Sequence, residues 1–223
     1  MPTIRQLPSS QSRIGLAYNV ILAVSCEAST LDRFESKMPR LFAFLRAINA
    51  GPGRIVKMNV LRNAFESLGF VRAATFLGSG NVVFETRAKD TAALERKIER
   101  TVRQAVGYPV SVFIRTQTEL KEIASLEPFE DSKTRGADLN IILLANNLNE
   151  RSKAKILALK TKTDRFCVRG CEIYWWRRKK PGKSLFATVP LGKALSVPFT
   201  IRGAHTIRRL AAKWSQCSPI IDE

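Results

Sequence analysis

Two groups of residues in this chain combine types and spacing that could do chemistry. The first is a Gly-Pro-Gly turn at residues 51–53, between an apolar run at 41–45 and the predicted start of a helix, with Arg54 and Lys57 directly after it. A helix N-terminus presents free backbone N–H donors, and neighbouring cations strengthen its attraction for anions. The pattern predicts an anion site. The alternative is an ordinary turn, because the spacing of a nucleotide-binding P-loop is absent.

The second group is an aromatic run that leads into consecutive cations: Tyr174, Trp175, Trp176, Arg177, Arg178, Lys179 and Lys180. Side chains alternate along a strand, so Trp175 and Trp176 must point to opposite faces, one of them onto the open face of the sheet. A tryptophan exposed beside Arg and Lys would stack on unpaired bases and bind nucleic acid. The alternative is that two sheets pack face to face and bury this tryptophan.

Positive charge is concentrated in the second half of the chain. The formal net charge is +18, and residues 151–213 carry 17 Lys and Arg against 2 acidic residues, whereas residues 40–150 carry 16 against 12. Such an excess favours nucleic acid as a partner, bound without sequence selectivity and weakened by salt. A further alternative is an interaction module whose charge only serves solubility.

Familiar catalytic and metal sites lack their starting residues. His205 is the only histidine and is expected to open the last helix as a polar first-turn residue, and the common hydrolase motifs are absent. Cys167 and Cys171 flank a predicted turn, and with His205 they would supply three ligands where structural zinc takes four. We expect two half-buried strand cysteines and no metal. Catalytic residues, cofactor and oligomeric state do not follow from the sequence.

The order of elements after Arg40 is strand, helix, strand, strand, helix, strand. Apolar residues at helical spacing predict a first helix around 58–68, the Gly-Ser-Gly at 78–80 predicts a hairpin turn, and a second helix is expected at about 90–106 before a strand at 110–114. This order predicts a ferredoxin-like unit, in which four antiparallel strands carry both helices on one face.

The same order begins again after residue 137. Strands are expected at 139–144, on both sides of a turn at 169–170, and at 199–201, with helices at 151–160 and 184–195. Ile114-Arg115 and Ile201-Arg202 are followed by apolar residues at identical offsets, which favours a duplication. The predicted fold is α+β with two tandem ferredoxin-like subdomains. The expected boundaries are an extension at 1–37, a first subdomain at 38–126, a linker at 127–137, a second subdomain at 138–214 and a tail at 215–223.

The leader and the cysteine content bear on location. Residues 14–26 form a short apolar stretch behind two arginines, as in a secretion signal, but polar residues interrupt it, and we expect instead that the protein begins at Met38. No apolar run reaches the roughly 18 residues that a membrane-spanning helix needs. The 4 scattered cysteines suit a reducing compartment. A cytoplasmic protein without a membrane partner is expected.

Several stretches, once placed in this order, resemble the bacterial domain-of-unknown-function family DUF1697. They are Leu-Arg-Ala-Ile-Asn-Ala-Gly at 45–51, Val-Lys-Met at 56–58, Ser-Gly-Asn-Val-Val-Phe at 79–84, Gly-Lys-Ser-Leu at 182–185 and Thr-Ile-Arg at 200–202. The likeness runs from Met38 to about Trp214. It implies two ferredoxin-like subdomains and no established activity. Family members begin at the position that matches Met38, which supports a start there.

The resemblance also points to a candidate ligand site, because its motifs concentrate near the first loop. The candidate anion- or ligand-binding residues are Arg46, Asn49, Gly51, Lys57, Ser79, Asn81, Lys183, Ser184 and Arg202. The chain departs from the family pattern at Ala47, where Gly is usual, at Gly78, where Gln is usual, and at 203–205. The leading prediction is a binding protein with a basic surface for nucleic acid. The alternative is a phosphate- or nucleotide-binding protein or enzyme with its site near the first strand–helix loop.

Overall fold

The first half of the chain forms a four-stranded antiparallel sheet in this computed structural model, which describes residues 38–49, 55–130, 137–178, 191–195 and 197–214. Its elements are β1 Arg40–Leu45, α1 Met58–Glu66, β2 Val71–Phe76, β3 Asn81–Glu85, α2 Thr91–Val106, β4 Val112–Thr116 and α3 Gln117–Ser125. The strand order across the sheet is β2-β3-β1-β4.

The second half repeats this arrangement. Its elements are β5 Ala137–Leu144, α4 Glu150–Leu157, β6 Asp164–Arg169, β7 Glu172–Arg178, α5 Leu191–Ala194, β8 Phe199–Gly203 and α6 Ala204–Lys213. The strand order is β6-β7-β5-β8, which matches the first sheet position by position. The prediction of a mixed α+β fold with two antiparallel sheets is confirmed. The order of strands and connections is compatible with the predicted ferredoxin-like units.

Helix α2 illustrates why these segments fold locally. Leu94, Ile98 and Val102 are buried at a spacing of four residues, so one face of the helix packs on the sheet. Asp90 caps its start by accepting a hydrogen bond from the backbone N–H of Ala93 at 3.0 Å. Gly107 ends it with φ 82°, a left-handed conformation that glycine adopts without strain.

The two sheets pack face to face. One core between them contains Phe42, Phe44 and Phe113 from the first sheet together with Tyr174 and Trp176 from the second. Burial of each such side chain is worth about 2–3 kcal/mol, so the interface is a main source of stability for both halves. Two further cores lie on the outer faces, under the helices of each half.

Both sheets belong to one compact unit, which begins at Pro39. The predicted extension at 1–37 and the tail at 215–223 lie outside the described residues. Within the ranges that the structure describes, none of the helices has the length and apolarity to cross a membrane.

Candidate functional site

Those segments with family-like motifs that the structure describes meet where β1 ends. Arg202, on β8, donates from Nε to Oδ1 of Asn81 at 2.6 Å, and from Nη2 to the carbonyl oxygens of Leu45 and Ser79 at 2.9 and 3.1 Å. An arginine of the second sheet therefore holds the β2–β3 turn of the first. We define the motif cluster as Arg46, Asn49, Ser79, Asn81 and Arg202.

The two asparagines of the motif cluster bind backbone groups. Asn49 donates from Nδ2 to the carbonyl of Gly78 at 2.8 Å and accepts at Oδ1 from the N–H of Val56 at 2.7 Å. Asn81 donates from Nδ2 to the carbonyl of Phe76 at 3.0 Å. These amides tie the turn between β2 and β3 to the segment that leads into α1. Their role in this structure is to shape the loops, and a ligand would have to displace these bonds to contact them.

Arg202 brings a half-buried positive charge to the cluster. Its remaining hydrogen bonds go from Nη1 to Oγ1 of Thr200 and to the carbonyl of Ile201, both at 2.8 Å, and from Nη2 to the carbonyl of Gly80 at 3.4 Å. Every hydrogen-bond partner of this guanidinium within the described ranges is a neutral oxygen. Burial lowers the pKa of Arg202 to about 10. A desolvated cation without a carboxylate beside it makes the local potential positive, which favours an anion nearby.

Two exposed cations, Arg46 and Lys57, lie near the Arg202 guanidinium. Arg46 is exposed, with its guanidinium carbon 4.9 Å from the ring centroid of Phe199, and Lys57 is exposed at the N-cap of α1. The first turn of α1 has no acidic residue, and Lys57 makes no side-chain cap. An anion at this end of α1 would therefore meet free N–H donors and cations. The other candidate residues, Gly51, Lys183 and Ser184, lie outside the described ranges.

Left-handed backbone conformations gather at the same place. Ala47, Asn49 and Leu77 have φ values of 64°, 51° and 57°, and Gly80 has 71°. A Cβ on Gly80 would lie 2.8 Å from Cβ of Ile48, so only glycine fits there. Position 47 is where the family usually has glycine, and its φ supplies the physical reason. Hydrogen bonds from Asn49, Asn81 and Arg202 hold two strained turns in place, the one after β1 and the one between β2 and β3.

An acidic cleft of about 1070 Å³ lies around Arg115, the residue that corresponds to Arg202 in the internal repeat. Glu95, Glu119, Glu122 and Glu172 line it. Burial raises the pKa of Glu95 and of Glu172, and for Glu172 it outweighs the nearby Arg115 guanidinium. Glu95 lies on α2, Glu119 and Glu122 lie on α3, and Glu172 begins β7, so the cleft forms only when these elements pack together. Its charge suits cations and disfavours phosphate.

The prediction that a tryptophan of the aromatic-basic run is exposed for base stacking is wrong. Trp175 and Trp176 are 0% and 1% exposed. Trp176 lies in the core between the sheets, whereas Trp175 lies under the helices and donates from Nε1 to Oδ1 of Asp164 at 2.9 Å. The alternative that face-to-face sheets bury the tryptophan of the open face is confirmed. Neither ring can stack on a base without unfolding a core.

The cations of that run do not form one exposed patch within the described residues. Arg177 is buried, with Nε 3.8 Å from Oδ1 of Asp164, whereas Arg178 is exposed. Lys179 and Lys180 lie outside the described ranges. Arg178 is thus the only exposed cation of this run among the described residues.

The cysteines and the histidine are separate features. Cys167 and Cys171 are free thiols of intermediate burial, and Sγ of Cys171 donates to Oδ1 of Asn147 at 3.2 Å. His205 is exposed in the first turn of α6, as predicted. In the part of the chain with described coordinates, no three His, Cys, Asp or Glu residues are grouped to hold a metal ion.

The fold and this cluster define a class: an α+β protein with two matching antiparallel sheets and a loop site built by asparagine and arginine. The chain belongs to the family described as a protein of unknown function, DUF1697, whose model matches residues 38–174. The predicted membership is thus confirmed, and the match ends before β8.

A solved structure gives the same fold. The chain is similar to the conserved bacterial protein SP0830 from Streptococcus pneumoniae, with a TM-score of 0.63 and 20% sequence identity, over 78% of this chain and 98% of that chain. At this identity the likeness supports the fold alone. No curated protein matches the chain significantly.

Proposed function

We propose that this protein binds nucleic acid through exposed cations, with little sequence selectivity. The observation that carries the proposal is the balance of charge at the surface. Among the described residues, exposed Arg and Lys outnumber exposed Asp and Glu by more than two to one. Part of the net charge of +18 therefore faces solvent as Arg and Lys.

Exposed cations of this kind bind phosphate backbones by releasing condensed counterions. Affinity then falls linearly on a log–log scale with salt, by about 0.9 per neutralised phosphate of a duplex. The few cysteines and the bacterial family support a bacterial cytoplasm as the place of action. The matching strand orders support two tandem ferredoxin-like subdomains as the scaffold.

The test is a titration of labelled RNA and DNA with the protein at low and at physiological salt, read by fluorescence anisotropy. Tryptophan quenching is a poor readout, because Trp175 and Trp176 are buried. We expect binding at low salt that weakens steeply as salt is added. A protein that binds neither RNA nor DNA at low salt contradicts the proposal.

A phosphate-bearing small molecule at the motif cluster is the second candidate. The half-buried charge of Arg202, which has only neutral partners among the described residues, favours it. Exposed Arg46 and Lys57 are placed to make the direct contacts, whereas the amides of Asn49 and Asn81 are already bonded.

This second candidate is tested by a thermal-shift screen with nucleotides and phosphorylated metabolites. Any stabilisation should be lost in Arg46→Ala and Lys57→Ala and kept in Lys121→Ala, which removes an exposed lysine of α3. Equal losses in all three variants would exclude a site at the motif cluster. A complete absence of stabilising ligands, together with nucleic-acid binding, would leave only the first proposal.

A further inference from the structure

We propose that the outer face of α2 is the surface on which the backbone of duplex nucleic acid docks. The inference rests on the proposed nucleic-acid binding and specifies its site and its preferred form of ligand. The surface, which we call the α2 ridge, consists of Arg96, Arg100 and Arg103, and all three are exposed. Helical geometry places them within an arc of about 60° and along about 10 Å of the axis, so they form one straight row.

The acidic residues of α2 are engaged by backbone groups. Glu95 accepts a hydrogen bond from the backbone N–H of Ile114 at 2.8 Å, and Glu99 accepts one from Val112 at 2.9 Å. Both carboxylates therefore point toward strand β4, to one side of the arginine row, and the Glu95 charge acts on one member of the row, Arg96. Glu99 and Arg103 have the spacing of a favourable helix pair, yet the salt bridges found among the described residues do not include it.

The α2 ridge is also held rigidly. The helix has 16 residues, a side-chain cap at Asp90, a glycine stop at Gly107 and three core residues beneath it. The bonds from Glu95 and Glu99 to β4 fix its rotation about its own axis. Phosphate contacts made from such a frame cost little backbone ordering, since the helix does not have to form on binding.

The absence of exposed aromatic residues in the described ranges favours a duplex over a single strand. The large hydrophobic residues exposed there are Ile55, Val71, Leu77 and Leu157, and none of them is aromatic. Unpaired bases gain about 1–3 kcal/mol each from an aromatic platform, and this surface offers them none. A duplex carries one charge per about 1.7 Å and so presents phosphate at higher density to a row of arginines.

The experiment compares two triple variants with equal loss of charge. Arg96→Gln, Arg100→Gln and Arg103→Gln remove the α2 ridge, and Arg151→Gln, Lys155→Gln and Lys160→Gln remove exposed cations on and after α4. Each protein is titrated into a labelled duplex and into one of its single strands over a range of salt. Thermal unfolding by circular dichroism checks that both variants fold.

We expect the α2 variant to bind the duplex at least about tenfold more weakly, with the salt slope reduced by about 2 to 3, and the α4 variant to keep the wild-type slope within about 1. Wild type should bind the duplex more tightly than the single strand. Equal losses in both variants, or a preference for the single strand, would overturn this inference while nucleic-acid binding itself stands. If wild type binds neither form at low salt, the proposed function fails, and this inference fails with it.

Discussion

Arg115 and Arg202 occupy equivalent places in the two halves and make nearly the same bonds. Arg115 donates from Nη2 to the carbonyl of Leu144 at 3.0 Å, as Arg202 does to that of Leu45 at 2.9 Å. Each also donates from Nη1 to the carbonyl of the residue before it, at 2.8 Å. Each arginine thus belongs to one half of the chain and binds the hairpin turn of the other half. We call these two sets of hydrogen bonds the Arg115 latch and the Arg202 latch.

The two latches differ in the group that faces Nε. Arg115 meets a carboxylate, Oε1 of Glu172 at 2.7 Å, whereas Arg202 meets an amide, Oδ1 of Asn81 at 2.6 Å. The geometry therefore requires the arginine, but it does not require a counter-charge. After the predicted duplication the two positions took opposite electrostatic characters, with an acidic cleft at one latch and an excess of positive charge at the other.

The helices that follow the two arginines diverge in the same sense. Counted from Arg115, Glu119 and Glu122 on α3 correspond to Thr206 and Arg209 on α6, counted from Arg202. Both carboxylates thus lose their charge or reverse it beside the motif cluster. These exchanges would favour an anion beside Arg202 and disfavour one beside Arg115.

Replacing each arginine should give the largest difference in stability effect between the Arg115 latch and the Arg202 latch. Arg115→Met leaves the Glu172 carboxylate buried without its partner, and we expect the free energy of unfolding to fall by about 3–5 kcal/mol. Adding Glu172→Gln should recover most of this loss, because the buried charge is gone. Arg202→Met leaves carbonyl oxygens without donors, and adding Asn81→Leu should recover nothing. Urea denaturation at neutral pH measures all four; equal recovery by both second changes would refute the electrostatic difference.

Gly80 and Cys171 occupy corresponding turn positions, and only one tolerates a side chain. A Cβ at Gly80 would approach Ile48 at 2.8 Å and the Leu45 carbonyl at 3.0 Å, so Gly80→Ala should cost about 2–4 kcal/mol of stability. Cys171→Ala should cost less than about 1 kcal/mol.

Gly107→Ala is the control for backbone strain alone, because Gly107 has φ 82° and no neighbour within 4 Å of an added Cβ. It should lower the stability measured by thermal unfolding by about 1–2 kcal/mol. Equal costs at the two glycines would remove the steric argument.

Only one latch should respond to pH. Burial raises the pKa of Glu172, so its contribution to stability is complete below the ordinary value near about 4.3 and is lost as pH rises through the raised value in the folded state. Glu172→Gln should therefore gain stability relative to wild type on going from acid to neutral pH. Asn81→Ser provides the control, since its difference from wild type should stay constant with pH. Parallel pH profiles for wild type and Glu172→Gln would contradict this.

The smallest expected effect concerns backbone strain beside the Arg202 latch. Ala47 has φ 64°, where a β-carbon is unfavourable, so Ala47→Gly should raise the free energy of unfolding by about 0.5–1 kcal/mol. The same change in mid-helix, Ala154→Gly on α4, should lower it by about 1 kcal/mol. Thermal unfolding distinguishes the signs; a loss at both positions would show that residue 47 is not strained.

The order of strands and helices could be predicted because each element carries its own periodicity and stop signals. Helix α2 is an example, with apolar residues every four positions and Gly107 at its end. The identical offsets after Arg115 and Arg202 likewise predicted the internal repeat, which the matching strand orders support. These signals are local and need no knowledge of what packs on what.

The roles of the site residues could not be predicted in this way. Asn81 and Arg202 are 121 positions apart, and only the packing of one sheet on the other brings them within 2.6 Å. The resemblance picked both as ligand contacts, whereas their donors and acceptors are occupied by the protein. The burial of Trp176 depends on the same packing. Alternation along β7 determines on which face of the sheet this side chain lies, but not what covers that face.

The bonds from Glu95 and Glu99 to β4 have a consequence for self-association. Strand β4 lies at the border of its sheet, and these carboxylates occupy the outward N–H groups of Ile114 and Val112 that another strand would seek. Because burial raises the pKa of Glu95, this carboxylate takes up a proton at a higher pH than an ordinary glutamate does, and its hydrogen bond to β4 then weakens. Acidification should thus open this border to strand addition from a second molecule, and light scattering would register the oligomers.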